Sequence, residues 1–236
     1  MRYLIGTKNY GLFYKKYPAM IEVFNDADWN TLSGDSLSIT GYIFTLSSGA
    51  ICWKSKKQTI IANSTMETQL IALVSASEEA NWLKDLLYEI PLWEKPIPPI
   101  LIYCDSTAAI GRVKNRYYNG KSRPIRRKHN TMRSYLSSDI ITVDYIKSNE
   151  NLADPFTKAL AKDRVWNTSR GMGLKSIESW AMYEDTQPKD QRSWELGSMG
   201  KMNHMMVVKK CTIFLIIYFL NNFLIVHPYD VSAFIL

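Results

Sequence analysis

The segment Ile100-Leu-Ile-Tyr-Cys-Asp105 constrains this chain more than any other. It is a continuous apolar run, preceded by Pro96, Pro98 and Pro99 and followed by Ser106, a good helix N-cap residue. A strand that is apolar on both faces must be covered on both, which puts it inside an α/β sheet rather than at the surface of an antiparallel one. The run ends in a carboxylate directly before the helix expected over Thr107 to Val113, and strand ends of that kind are where α/β sheets carry their sites.

The neighbouring segments supply the rest of such a sheet. Ile21 to Asp26 alternates apolar and polar residues and leads into Asp26-Ala-Asp28. Ser33-Gly-Asp-Ser36 turns the chain, Ile39 to Leu46 is rich in β-formers, Ser47-Ser-Gly49 turns it again, and Ala50 to Lys56 completes a three-stranded meander. From Ser64 the period becomes helical, with Met66, Leu70, Leu73 and Val74 on one stripe and Ala76, Ala80, Leu83 and Leu87 extending it toward Ile90. A helix over Ser122 to Leu136, a strand over Ile140 to Ile146 and a last helix over Ala153 to Leu160, opening on Asp154-Pro155, complete the reading. The predicted class is α/β: a five-stranded mixed sheet in the order βββ-α-β-α-β-α, flanked by helices, with no internal repeat.

Composition narrows the partner. Charged residues are 22% and hydrophobic ones 46%, which is ordinary for a folded domain, and a formal charge of +7 favours an anionic partner. Cys52, Cys104 and Cys211 have no CxxC spacing, so neither a zinc site nor a disulfide framework is expected, and a reducing intracellular setting, cytoplasmic or nuclear, fits. The apolar segment 211–226 is interrupted by Asn221-Asn222 and falls short of the ~20 residues that span a bilayer, so a membrane anchor is the weaker reading.

Several ordered motifs carry a family likeness. They are Asn25-Asp-Ala-Asp-Trp29, Thr40-Gly-Tyr-Ile-Phe44, Trp53-Lys-Ser-Lys-Lys-Gln58, Ser64-Thr-Met-Glu67 and Tyr103-Cys-Asp-Ser-Thr-Ala-Ala-Ile110. Tyr118-Asn-Gly-Lys-Ser122, Arg126-Arg-Lys-His-Asn-Thr131, Asn151-Leu-Ala-Asp-Pro-Phe-Thr-Lys158 and Ser169-Arg-Gly-Met-Gly-Leu174 continue them. Through these the chain resembles the ribonuclease H region of copia-type retrotransposon Pol polyproteins, particularly those of plants. The likeness implies a ribonuclease H-like fold over 21–165, a remnant of the connection to the reverse transcriptase over 1–20, a family extension over 166–186 and an unrelated tail over 187–236. It implies a fragment of a longer polyprotein, hydrolysis of RNA in RNA–DNA hybrids, two Mg²⁺ or Mn²⁺ ions, and a reverse transcriptase region as partner.

In that family the metal-holding set is an Asp on the first strand, a Glu on the first helix, an Asp ending the fourth strand and an Asp opening the last helix. Asp26, Asp105 and Asp154 match three of these. Each has a plainer reading: a solvated strand edge for Asp26, a helix-start charge for Asp105, and an N-cap before Pro155 for Asp154. The position of the family Glu falls on Gln69, which has no carboxylate. Glu67 lies two residues earlier, about 200° around a helix, and should face elsewhere. An amide keeps an oxygen but loses the charge that neutralises a divalent ion, so weakened metal binding and low or absent hydrolysis are expected.

From Ser106 to Ser138 there is no acidic residue, while Arg112, Lys114, Arg116, Lys121, Arg123, Arg126, Arg127, Lys128 and Arg133 are positive. With Tyr118, Asn119 and Asn130 they form the expected nucleic-acid face, its target an RNA–DNA hybrid or other duplex; a merely solvated basic loop is the alternative. His129 is expected to be packed rather than catalytic.

Overall fold

Alternation along each strand divides the hydrophobic side chains between two faces of one sheet. The computed structural model describes residues 7–14, 20–29, 37–91, 93, 95–118, 120 and 122–176. In chain order these form β1 (Tyr10–Leu12), β2 (Ile21–Asp28), β3 (Ile39–Leu46), β4 (Gly49–Lys57), α1 (Thr65–Glu89), β5 (Ile100–Cys104), α2 (Thr107–Lys114), α3 (Arg123–Ser137), β6 (Ile141–Tyr145), α4 (Lys162–Gly171) and β7 (Leu174–Ser176). Short 3₁₀ turns occupy Ser148–Glu150 and Asp154–Phe156. Five strands form the mixed sheet β4-β3-β2-β5-β6, in which β3 runs antiparallel to both β2 and β4, while β5 runs parallel to both β2 and β6. Two helices, the ones expected over Thr107 to Val113 and Ser122 to Leu136, separate β5 from β6.

On one face Val23, Phe44, Ile100, Ile102 and Ile141 pack against Leu70, Leu73, Leu83 and Leu87 of α1 and against Ile125 and Met132 of α3. Burying each such side chain stabilises the fold by about 1.5–3 kcal/mol relative to exposure. The other face is covered by a smaller cluster of Phe24, Ile43, Ala50, Ala153, Phe156 and Met172.

The start of α1 is fixed twice. Ser64 Oγ accepts from the Glu67 amide at 3.3 Å and Glu67 Oε2 accepts from the Asn63 amide at 2.9 Å, an arrangement close to a capping box. Buried Gln58 donates to Thr68 O at 3.1 Å and to Thr40 Oγ1 at 2.9 Å, tying the first turn of α1 to β3.

The expected helix over Ala153 to Leu160 is not formed. Only the turn Asp154–Phe156 is helical, and α4 begins later, at Lys162. Pro155 cannot donate, the amides of both Thr157 and Lys158 bond to Asp154 O at 3.2 Å, and Ala161 is extended at ψ 152°. Tertiary contacts hold this turn in place: Ser55 Oγ donates to Phe156 O at 2.6 Å, and Asn151 Nδ2 donates to Asn25 O at 2.9 Å.

The flanking segments also meet. β1 pairs with β7, Phe13 N donates to Gly173 O at 2.9 Å, and Ala50 N donates to Met172 O at 2.9 Å. Gly173 has φ +88°, and a Cβ there would stand 2.8 Å from Phe13 O. The tail 187–236, including 211–226, lies outside the described residues, as do residues 1–6, 15–19 and 177–186. Among the described residues no helix is long and apolar enough to cross a membrane.

Gly41 lets the 154–157 turn reach the sheet. A Cβ at Gly41 would come within 2.6 Å of Thr157 Cγ2 and 2.9 Å of Phe156 Cβ, and neither is the loose end of a flexible side chain. Gly41→Ala is therefore expected to destabilise the fold by about 1–3 kcal/mol, the range for overpacking. Denaturant unfolding measures this, and an unchanged midpoint would refute the close approach.

Candidate metal centre and nucleic-acid interface

The parallel register sets Asn25 of β2 beside Cys104 of β5, so Asp26 and Asp105 emerge at adjoining strand ends. The 154–157 turn, seated over Gly41 opposite Asp26 in the β2–β3 register, brings in the third carboxylate. One oxygen from each of Asp26, Asp105 and Asp154 lies within 4.8 Å of the others. Asp26 and Asp154 are only 2% and 1% exposed, so water does little to screen them, whereas Asp105 is half-buried. Asp28, though on the same strand face by alternation, is half-buried and outside this group.

Gln69 is buried against the trio. Its Nε2 donates to Asp26 Oδ1 at 3.1 Å and to Ala27 O at 3.2 Å, while its Oε1 accepts from the Cys104 thiol at 3.9 Å. The amide nitrogen, not the oxygen, thus faces the carboxylates. Burial pushes the Cys104 thiol up to about 12, so it stays protonated in this role. Glu67 points away: beside its capping contact, Oε1 accepts from Tyr118 O–H at 3.3 Å. It does not join the trio.

Sequence reasoning did not single out the groups that compensate this charge. Lys158 Nζ lies 3.3 Å from Asp26 Oδ2 and 3.1 Å from Asp154 Oδ1. Arg164 Nη2 lies 2.6 Å from Asp154 Oδ2 and also donates to Ser148 O at 3.1 Å. Thr157 Oγ1 donates to Asp26 Oδ2. The four-residue spacing of Asp154 and Lys158 was a readable signal for the first pair. Nothing local in the sequence points to Arg164, because its contact depends on how α4 docks.

Hard carboxylate oxygens at this separation suit a hard divalent cation such as Mg²⁺. The donor set fits one such ion. Gln69 adds no fourth carboxylate, and its amide oxygen is turned toward Cys104.

Burial, reinforced by the charge of Asp26, raises the Asp105 carboxyl above the usual range. Burial likewise raises Asp154, against the lowering effect of Lys158. An acid whose folded pKa exceeds its unfolded value opposes folding while ionised, and that opposition fades as the pH falls through the raised pKa.

The basic segment lies on α2, α3 and their connection. Lys114, Arg116, Arg123, Arg126, Arg127 and Asn130 are exposed, whereas Arg112, Tyr118 and Lys128 are half-buried; Asn119 and Lys121 lie outside the described residues. Arg112 stacks over Tyr118 at 5.2 Å, and the Tyr118–Glu67 bond links this surface to the start of α1. His129 is fully buried, its Nε2 3.0 Å from Arg112 O and 3.1 Å from Asn115 O. Facing two acceptors, that nitrogen must carry a proton, and His129 acts as a pin between α3 and the end of α2.

The sheet and site define the class: a five-stranded mixed α/β domain with three carboxylates gathered beside the ends of two central parallel strands. Comparison supplies the particular relatives. The chain is 35% identical over 176 residues to the "Retrovirus-related Pol polyprotein from transposon TNT 1-94" of Nicotiana tabacum, a match covering 75% of this chain and 13% of that protein. It is 31% identical over 178 residues to the "Retrovirus-related Pol polyprotein from transposon RE2" of Arabidopsis thaliana, covering 75% and 12%. The relatives found are thus Pol polyproteins of plant retrotransposons, and this chain spans only about an eighth of their length. No family model matches it. Among solved structures, LC11-RNase H1 isolated from compost aligns at 15% identity and a TM-score of 0.45, covering 59% of this chain and 94% of that one.

Asp105→Asn should raise the Tm at pH 7, with the gain shrinking as the pH falls through the raised native pKa and the native carboxyl takes up its own proton. A lower Tm than the unaltered protein at pH 7 would contradict the burial argument.

Proposed function

We propose that this chain is the ribonuclease H-like domain of a copia-type Pol polyprotein, which binds RNA–DNA hybrid and hydrolyses its RNA strand weakly or not at all. The reading rests on one observation: Asp26, Asp105 and Asp154 converge within 4.8 Å. The domain is taken as 21–165, with 1–20 joining it to the reverse transcriptase region, 166–186 as a family extension and 187–236 as a tail.

When bound, Mg²⁺ or Mn²⁺ would supply positive charge to the scissile phosphate and a water of lowered pKa. Asp26, Asp105 and Asp154 are the residues that would hold and orient that cation through their oxygens. Lys114, Arg116, Arg123, Arg126, Arg127, Lys128 and Arg112 neutralise backbone phosphates, while Tyr118 and Asn130, with Asn119 and Lys121, add sugar and base contacts. Gln69 brings no negative charge to hold a cation, so the ion that would offset the phosphate's charge is held more weakly.

A second reading, a hybrid-binding domain without catalysis, is favoured by a specific contact: the Gln69 amide donates to Asp26 and uses up an oxygen that a metal needs. A membrane-anchored fragment has only the segment 211–226 in its support.

Cleavage of a labelled RNA–DNA hybrid by the full chain with Mg²⁺ or Mn²⁺ separates the first two. The expected result is binding with cleavage near background, and Gln69→Glu is expected to raise cleavage at least about 10–100-fold, the scale of supporting-shell effects at metal sites. Efficient cleavage by the unaltered protein would overturn the assignment of Gln69 as the defect. No gain from Glu, with hybrid still bound, would favour the binding-only reading.

Arg126→Ala combined with Arg127→Ala should weaken hybrid binding about equally across sequences. It should also lower the slope of log affinity against log salt by about 1–2, roughly one unit for each phosphate no longer neutralised. An unchanged slope would move the interface elsewhere.

A further inference from the structure

The trio already has a cation. Lys158 Nζ stands between Asp26 Oδ2 and Asp154 Oδ1 at 3.3 and 3.1 Å, a bridging position between two carboxylates that also belong to the candidate metal set. Both carboxylates are almost completely buried, while Lys158 is 36% exposed, so the lysine reaches in from the rim and has solvent to swing into. Its ammonium is thus held by an ion pair on each side, one from β2 and one from the 154–157 turn. Its backbone is fixed by the bond from its amide to Asp154 O at 3.2 Å, which leaves only the side chain free to move. Arg164 by contrast is anchored from the far side, through Ser148 O, and bonds Asp154 Oδ2 rather than the oxygen that Lys158 contacts.

We propose that Lys158 is the resident counter-cation of this centre: it holds Asp26 and Asp154 together in the metal-free protein and is displaced when a divalent ion binds, so that metal affinity is set by competition with it. This rests on the reading of the trio as a metal site. The energetics follow from charge alone. A divalent ion arriving beside a fixed unit charge a few ångströms away meets repulsion that a neutral residue would not exert. Conversely, without Lys158 the two buried carboxylates would face each other with Arg164 as their one paired cation, so removing it should loosen the metal-free fold and leave the metal-bound one unharmed.

The test uses the full chain and Mn²⁺ as probe, with binding read by calorimetry and by the loss of the free-ion paramagnetic resonance signal. Three proteins are compared: unaltered, Lys158→Met and Asp105→Asn. Lys158→Met is expected to bind Mn²⁺ about tenfold tighter or more, and to show a lower Tm without metal that Mn²⁺ restores. A second measurement needs no variant. Acetylation of Lys158 in the unaltered protein, followed by mass spectrometry against exposed Lys54 and Lys56, should speed up severalfold when Mn²⁺ saturates the site.

Equal affinity in the unaltered and Lys158→Met proteins, abolished in Asp105→Asn, would keep the metal site and overturn the competition, as would an acetylation rate indifferent to Mn²⁺. Absence of Mn²⁺ binding in all three would overturn the metal reading itself, and the resident-cation proposal with it. Should Lys158→Met fail to fold, the acetylation measurement decides alone.

Discussion

Three carboxylates that approach within 4.8 Å in a largely buried setting repel one another, and much of this domain is arranged around that repulsion. Two cations, one hydroxyl and one amide converge on them: Lys158 bridges Asp26 and Asp154, Arg164 caps Asp154, and Thr157 and Gln69 donate to Asp26. With three negative groups and two positive ones, the cluster retains about one unit of net negative charge. That residue of charge is enough to attract a cation and small enough for the metal-free fold to tolerate.

The geometry depends on backbone rather than on the acidic side chains. Parallel pairing of β2 with β5 delivers two of the carboxylates without any special device. The third arrives by a tight turn that can lie on the sheet only because residue 41 has no side chain, and the turn is then secured by Ser55 and Asn151. The opposite approach, from α1, is fixed by Gln58 and the Ser64 cap, which together determine where residue 69 points. Most of these residues sit well away in sequence from the groups they position.

This explains what can be read from the chain and what cannot. The strands over 21–28, 39–46 and 100–104 and the long helix after Ser64 are legible because burial imposes a period on their residues. The helix expected over Ala153 to Leu160 fails because Asp154-Pro155 is a good helix start only locally, while the contacts that stop it come from β2 and β4. The separation of Gln69 from Glu67 follows from helical rotation alone. The roles of Gly41 and Arg164 do not, since a glycine's meaning lies in what approaches it and an arginine's in where its helix docks.

The amide at position 69 also bears on how the centre behaves without metal. Its nitrogen donates toward Asp26, so it lowers the repulsion inside the cluster where a carboxylate would raise it. Gln69 and Lys158 therefore act in the same direction: both make the carboxylates tolerable in the absence of a divalent ion, and both reduce what an incoming ion gains. A centre with Glu at 69 would gain more from the ion and be less stable without it. Gln69 thus makes the carboxylate cluster tolerable without an ion, and the fold around it does not depend on one at this position.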